Sequence, residues 1–259
     1  MCDIAGAQPL TTHPTDHFSA HAQNYARFRP TYPTELFAWL ASQSPGHRLA
    51  WDCGTGNGQA ALGLADHFVH VHATDLSPQQ LAQAPTRENI RYQPGSAESS
   101  GLADHSVDLV TVAQALHWFD HEHFYPEVRR VLRPGGVFAA WTYRLLDAEP
   151  AINAIVAQFH SQTVGPWWPP ERRWVDSGYL DLPFPFDEVN VPEFFMERHW
   201  TLAQMLDYLR TWSATQRYIK ERGSDPTQAL SKELLPVWGD PDRAKTISWP
   251  LALRCGRTL

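Results

Sequence analysis

Along residues 34–143, short apolar runs alternate with stretches whose apolar residues recur at helical spacing. Leu36, Phe37 and Leu40 place a helix over 33–42, which Pro33 or Thr34 can begin. Residues 48–53 form a buried-strand pattern that ends in a glycine-rich turn. Ala60, Ala61, Leu64 and Ala65 then give a helix face over 57–67, narrow enough to pack closely on a sheet. Phe68, Val69, Val71 and Ala73, interleaved with His and Thr, read as a strand over 68–75. Ser77 and Pro78 supply an N-cap and a first-turn proline for a helix over 78–84. A weak strand over 90–93 follows. The run VDLVTVA over 107–113 is a strong strand, rich in β-branched residues and suited to burial on both faces. A helix ending at Leu132, the turn Arg133-Pro134-Gly135-Gly136 and a strand over 137–143 complete the series.

Strands alternating with helices at this spacing predict βαβ units, and so an α/β fold whose parallel sheet carries helices on both faces. The regularity stops after Tyr143. Beyond it the pattern predicts a helix over 148–163, an irregular Pro/Trp-rich loop over 165–174 (GPWWPPERRW) and a strand over 193–200. Leu202, Met205, Leu206 and Leu209 share one face of an amphipathic helix over 202–212. A closing strand over 245–254 contains Pro250, which points to an edge position or a bulge. Residues 1–17 are polar and lack a regular pattern, as expected of a terminus that stays disordered until something pins it.

Composition narrows the class. With 259 residues, 43% hydrophobic and 19% charged, the chain can form one large domain or a domain with an inserted cap. Most of its 11 Trp follow the first third, so aromatic-lined elements are added to a regular scaffold. A net charge of −7 repels phosphate backbones, and no basic run exceeds two residues, which argues against a nucleic-acid partner. Cys2, Cys53 and Cys255 are scattered and odd in number, supporting neither a disulfide framework nor a thiolate metal site. No signal-peptide pattern and no long apolar stretch occur, so a cytoplasmic protein without a membrane partner is expected.

The chemistry begins at Asp52-Cys53-Gly54-Thr55-Gly56-Asn57-Gly58, between the first strand and its helix. Glycines at alternate positions let the chain turn tightly and let a ligand lie against the backbone. Dinucleotide enzymes use G-x-G-x-x-G and place diphosphate at the helix start. Here the third glycine comes one position early, and Asp52 opposes phosphate. The pattern favours a ligand with positive charge over NAD. Asp75 ends the second strand at the same sheet edge, where a carboxylate either accepts ribose hydroxyls or caps the next turn.

In order and spacing, DCGTGNGQ (52–59), ATDLSPQQL (73–81), GSAESSGLADHSVDLV (95–110), AQALHWFD (113–120) and RRVLRPGGVFAAW (129–141) resemble the class I S-adenosylmethionine-dependent methyltransferases acting on small molecules. YARFRPTYP (25–33) and WSATQRY (212–218) are more narrowly similar to a subgroup that includes trans-aconitate methyltransferases. The resemblance implies a Rossmann-like, doubly wound, mostly parallel seven-stranded sheet with a C-terminal inserted cap. It divides the chain into a leader (1–33) folding over the cofactor, a cofactor-binding core (34–143) and a cap with closing strands (144–259).

It also implies roles. Gly54, Thr55, Gly56, Gly58 and Gln59 would line the methionine part of S-adenosylmethionine, with Asp52 near its ammonium and Gln114 facing the same chain. Asp75 would hold the ribose and Leu76 would lie against the adenine, flanked by Ser96, Ala97 and Glu98. Many relatives carry Asp where this chain has Ser96, so a backbone carbonyl or Glu98 would serve the adenine amino group instead. Tyr25 and Arg29 of the leader would close over the cofactor, Arg29 pairing with its carboxylate.

The acceptor end reads less uniquely. His117 and Trp118 follow the fourth strand, either at the meeting point of cofactor and acceptor or as surface and packing residues. His117 is the candidate general base. His117 and His121 have metal-ligand spacing but lack the intervening Glu of H-E-x-x-H, and no metal is expected. Trp118, Trp141 and Trp212 are candidate substrate contacts, with Trp167, Trp168 and Trp174 forming either an aromatic wall or the cap's own core. Arg172 and Arg173 either bind a carboxylate acceptor or remain solvated. The competing functions are a non-catalytic protein that binds S-adenosylmethionine and a nicotinamide-dependent oxidoreductase on the same scaffold. A monomer or homodimer fits all of them.

Overall fold

Five parallel strands ending at one edge set the frame of the computed structural model, which describes residues 30–258. They are β1 (Leu49–Cys53), β2 (His70–Asp75), β3 (Ile90–Pro94), β4 (Val107–Ala113) and β5 (Leu132–Tyr143), in the order β3-β2-β1-β4-β5. All four contacts between them are parallel. The chain reverses its direction of winding between β1 and β4, which opens a crevice at their C-terminal ends.

Alternation along the strands feeds two cores. Ala50, Val71, Ala73, Leu109 and Ala139 face one side, where they meet α1 (Thr34–Gln43) and α2 (Gln59–Leu64) through Leu36, Phe37, Leu40, Ala61 and Leu64. Trp51, Cys53, Val110, Val112 and Phe138 face the other. There, beyond the short α3 (Pro78–Leu81), they meet Phe124, Val128 and Val131 of α4 (His121–Val131). The buried Asp108 carboxylate accepts the backbone N–H groups of Arg48 and Leu49, both at 2.9 Å, and pairs with Arg133 at 3.0 Å. That contact locks the starting ends of β1 and β4 together, so their far ends are held in register.

The mostly parallel sheet implied by the sequence is present. Seven strands follow in continuous order, and an eighth pairs to one side. The final strand, β8 (Lys245–Arg257), runs antiparallel to β5 and is followed in the order by β6 (Asp187–Glu188). β7 (Phe195–Trp200) pairs with the first half of β8. Pro250 is the last residue of β8 registered against β7, opposite Phe195, and the β5 ladder begins at the next residue, Leu251, so its missing N–H falls where one ladder ends and the other starts.

A third core lies in the cap. It joins α5 (Pro150–Gln158), a π-helical turn at Phe159–Thr163, α7 (Leu202–Arg210) and α9 (Thr227–Trp238) through residues such as Val156, Met205, Leu209, Leu234 and Trp249. The loop expected over 165–174 is in part regular: Gly165–Trp167 forms a 3-10 turn, and α6 spans Arg172–Asp176. Pro166 stands in the first turn of the 3-10 segment, and Pro169 and Pro170 precede α6, where a missing N–H costs nothing. Two helices without a sequence expectation, α8 (Ser213–Arg222) and α9, fill 213–238. Only Ala214 and Thr215 of α8 are buried, and Pro236 interrupts α9, so neither shows a clean apolar period.

Candidate active site

The glycine turn builds the first wall. Gly54, Gly56 and Gly58 all adopt left-handed backbone angles, with φ of 69°, 56° and 84°. They do different work. A Cβ on Gly54 would lie 2.7 Å from Ala115, and one on Gly58 would lie 2.5 Å from the Tyr92 hydroxyl. At Gly56 a Cβ would meet nothing within 4 Å, because that residue opens onto the ligand space. Gly58 therefore closes the turn against Tyr92 and is not among the residues lining the cavity.

Asp52 lies under the turn. It is fully buried beneath the turn, where Thr55 Oγ1 donates to it at 2.5 Å and Thr111 Oγ1 at 2.9 Å. Burial pushes its carboxyl up to about 6, against the lowering effect of those two hydroxyls. It braces the turn from below and does not line the cavity.

Asp75 does reach the cavity. Its Oδ2 accepts Gly56 N–H at 2.8 Å and its Oδ1 accepts Ser77 N–H at 2.8 Å, so one carboxylate ties the glycine turn to the next loop. Asp75 thus caps the turn, and it also lines the cavity. Leu76 beside it stays 62% exposed, an apolar side chain that a flat ring can cover. Ala97 and Glu98 line the same side. Ser96 does not; its hydroxyl donates to the Glu98 carboxylate and accepts Glu98 N–H at 3.2 Å. Glu98 in turn accepts Asp120 N–H at 3.3 Å.

Beyond β4 the chain turns sharply at Gln114, whose φ is 57°. Gln114 Oε1 accepts the Thr142 hydroxyl at 3.0 Å, while its buried amide nitrogen has no hydrogen-bond partner among the described residues. His117 follows on a 3-10 turn (Leu116–Trp118), with Nδ1 2.9 Å from the hydroxyl of the buried Tyr179. Burial, reinforced by the positive field of Arg172 and by His121, pushes the imidazole down to about 3. A neutral ring of that low basicity is a poor proton acceptor near pH 7. His121 turns away, its Nε2 bonded to the Leu116 carbonyl at 2.8 Å. Among the described residues no cluster of three or more His, Cys, Asp or Glu is placed to hold a metal.

These walls enclose a cavity of about 1000 Å³, lined by Gly54, Thr55, Gly56, Gln59, Asp75, Leu76, Ala97, Glu98, Gln114, His117 and Trp118. Trp141 and Trp212 do not reach it. Trp141 is fully buried at the edge of Tyr32 (ring centroids 5.4 Å apart) and supports that residue from below. Trp212 packs in the cap against Phe159, His160 and Trp168. Arg172 pairs with Asp176 at 2.8 Å and lies over Trp168, and Arg173 lies over Trp174, so neither lines the cavity. Tyr25 and Arg29 lie outside the described residues.

Pro30, Tyr32, Tyr143, Arg217 and the Pro169–Glu171 segment also line the cavity. Tyr143 ends β5 as Asp75 ends β2, and the strand-end rule that found one applies equally to the other. Arg217 lies in a helix with no legible apolar period, and only its place in the 212–218 motif marked it.

The sequence and the architecture match known methyltransferases. Residues 51–140 match the family described as a methyltransferase domain. A Dictyostelium discoideum protein described as a methyltransferase is 33% identical over 238 residues, covering 90% of each chain. A structure described as a type II methyltransferase from Anaeromyxobacter dehalogenans superposes with a TM-score of 0.84 at 44% identity, over 89% of this chain and 98% of that one. An uncharacterised methyltransferase of Mycobacterium bovis is 40% identical over 121 residues, 46% of this chain and 49% of its own. This chain belongs to the methyltransferase family, with the class I, S-adenosylmethionine-dependent fold. None of these names speaks of trans-aconitate, and that narrower likeness stays an expectation.

Proposed function

We propose that this protein moves a methyl group from S-adenosylmethionine to a small organic molecule held between the strand ends and the cap. One arrangement carries the reading. The open left-handed turn at Gly56, the Asp75 carboxylate and the Gln114 side chain line a single cavity. A ribose suits Asp75, and an adenine suits Leu76 with Ala97 and Glu98 beside it. The amino-acid part suits the Gly54–Gly56 backbone and the Gln114 N–H. When bound, S-adenosylmethionine supplies an already activated methyl group.

The chain's own contribution is then placement and exclusion of water. Tyr143, Trp118 and the Pro169–Glu171 segment wall the acceptor side. No residue here is assigned as a general base, since His117 is held neutral with low basicity. A carboxylate acceptor needs none, and small carboxylic acids are the first acceptors to offer.

Calorimetry with S-adenosylmethionine, S-adenosylhomocysteine and NAD(H), on the wild type and on Asp75→Ala, tests the cofactor. Micromolar binding of both adenosyl compounds, lost in the variant and absent for NAD(H), is the expected result. A folded protein that binds neither overturns the reading. Release of S-adenosylhomocysteine with any offered acceptor separates an enzyme from a protein that only binds the cofactor.

A further inference from the structure

The cavity has two ends, and the sheet order assigns them. Asp75 terminates β2 and Tyr143 terminates β5, with β1 and β4 between them. At the usual strand spacing these three steps span about 14 Å. With the adenosyl portion at the β2 end, as proposed above, the β5 end is left for the acceptor. His117, Trp118 and Tyr143 line the cavity from the sheet edge, and Glu171 and Arg217 line it from the cap.

Arg217 is the only Lys or Arg that lines this cavity among the described residues. Its Nη1 reaches the Trp167 carbonyl at 3.5 Å, the long limit of a hydrogen bond, and no described carboxylate pairs with it. Other arginines around the cap are spent: Arg172 on Asp176, and Arg210 on Asp207 and Asp225. Of the three carboxylates on the cavity wall, Asp75 and Glu98 are tied to the sheet edge by hydrogen bonds, and Glu171 stands on the cap side with Arg217. An unpaired, half-buried guanidinium beside aromatic walls is a receptor for a planar anion, which it can grip with two parallel N–H bonds.

We infer that Arg217 selects the acceptor, and that the acceptor is a small organic monoanion with an apolar or aromatic body. The inference rests on the reading of the cavity given under Proposed function. Tyr143 and Trp118 take the uncharged body, and Arg217 takes the anionic group. Glu171 disfavours a second negative charge on the same molecule.

The test is calorimetric binding of benzoate, cinnamate and succinate, each beside its amide, to protein saturated with S-adenosylhomocysteine. The wild type binds at least one aromatic acid tenfold or more tightly than its amide. Arg217→Gln abolishes that preference, Arg217→Lys keeps part of it, and neither variant changes S-adenosylhomocysteine affinity. Acids and amides binding the wild type equally would overturn the inference. So would an Arg217→Gln variant that weakens S-adenosylhomocysteine instead, because Arg217 would then serve the cofactor. Failure of the cofactor reading shows separately, as a folded wild type that does not take up S-adenosylhomocysteine. The acid-against-amide comparison on the unloaded protein then still decides the role of Arg217.

Discussion

The Tyr179 hydroxyl lies 2.9 Å from Nδ1 of His117, joining two residues that are 62 positions apart in the chain. Tyr179 is fully buried, with a left-handed φ of 64°, and the Thr142 side chain shares its hydroxyl. Thr142 also donates to Gln114. Gln114 and His117 are thus each bonded to a hydroxyl of the neighbouring Thr142 and Tyr179 side chains.

Tyr179→Phe removes the hydroxyl and leaves Nδ1 of a buried imidazole unpaired. The expected loss of stability is about 1–3 kcal/mol, read by urea denaturation. His117 loses its fixed orientation, so KM for the acceptor rises while the dissociation constant of S-adenosylhomocysteine stays within twofold. A change in cofactor affinity alone would show that Tyr179 acts on the other end of the cavity.

The glycine turn predicts a split between binding and stability. Gly56→Ala places a methyl in open ligand space, so cofactor affinity falls tenfold or more, while stability falls by only about 1 kcal/mol for the left-handed angle. Gly58→Ala drives a methyl to 2.5 Å from the Tyr92 hydroxyl, and its cost appears as lost stability. Thermal melts and calorimetry on the two variants check the split. Equal effects on both properties would remove the distinction drawn here between the two glycines.

How much of this was legible beforehand follows from how many demands each segment meets. The run 107–113 is buried on both faces, so its β-branched residues had one use and the strand ends where the pattern ends. Asp75 was legible because a carboxylate at a strand end has few uses. The second half was not, because the same tryptophans suit a cap core and a cavity wall, and only packing decides. Trp141 and Trp212 went to cores; Trp118 went to the wall. Asp52 lies off the cavity wall for a reason the sequence does not carry. A sequence shows that an acid ends the strand, but not that two threonines, one of them 59 residues away, turn it inward.

The buried acid and imidazole make opposite contributions to the pH dependence of stability. Asp52 has a folded value near 6 against 3.8 unfolded, so the folded state holds more protons between those values. Its contribution is greatest below about 4 and is lost as pH rises through about 6, a difference of about 3 kcal/mol at most. His117, pushed down to about 3 from 6.5, contributes stability above 6.5 that is lost as pH falls toward 3. Asp52→Asn therefore stabilises the protein at pH 7 and steepens its loss of stability from pH 6 to 4. Denaturant midpoints across that range check the sign. A variant less stable at pH 7 and parallel to wild type below it would mean that Asp52 is charged and fully compensated.

Gln114 offers a test in which stability and affinity move independently. Its buried amide N–H group has no hydrogen-bond partner among the described residues, which costs free energy in the unliganded protein and is repaid only when something accepts that hydrogen. Gln114→Leu keeps the volume and removes the orphan donor, but it also takes the acceptor away from the Thr142 hydroxyl. The two changes oppose each other, so stability should move by less than about 1 kcal/mol. The affinity for S-adenosylmethionine has no such compensation. A donor aimed at its charged amino-acid end is worth roughly tenfold to a hundredfold in binding, at about 1.5–3 kcal/mol per hydrogen bond to a charged group. Calorimetry and denaturation on the same preparation read both quantities. If affinity is unchanged, the amide points past the cofactor. If stability also rises, the Gln114 side chain is a strained element of the turn and not a ligand contact.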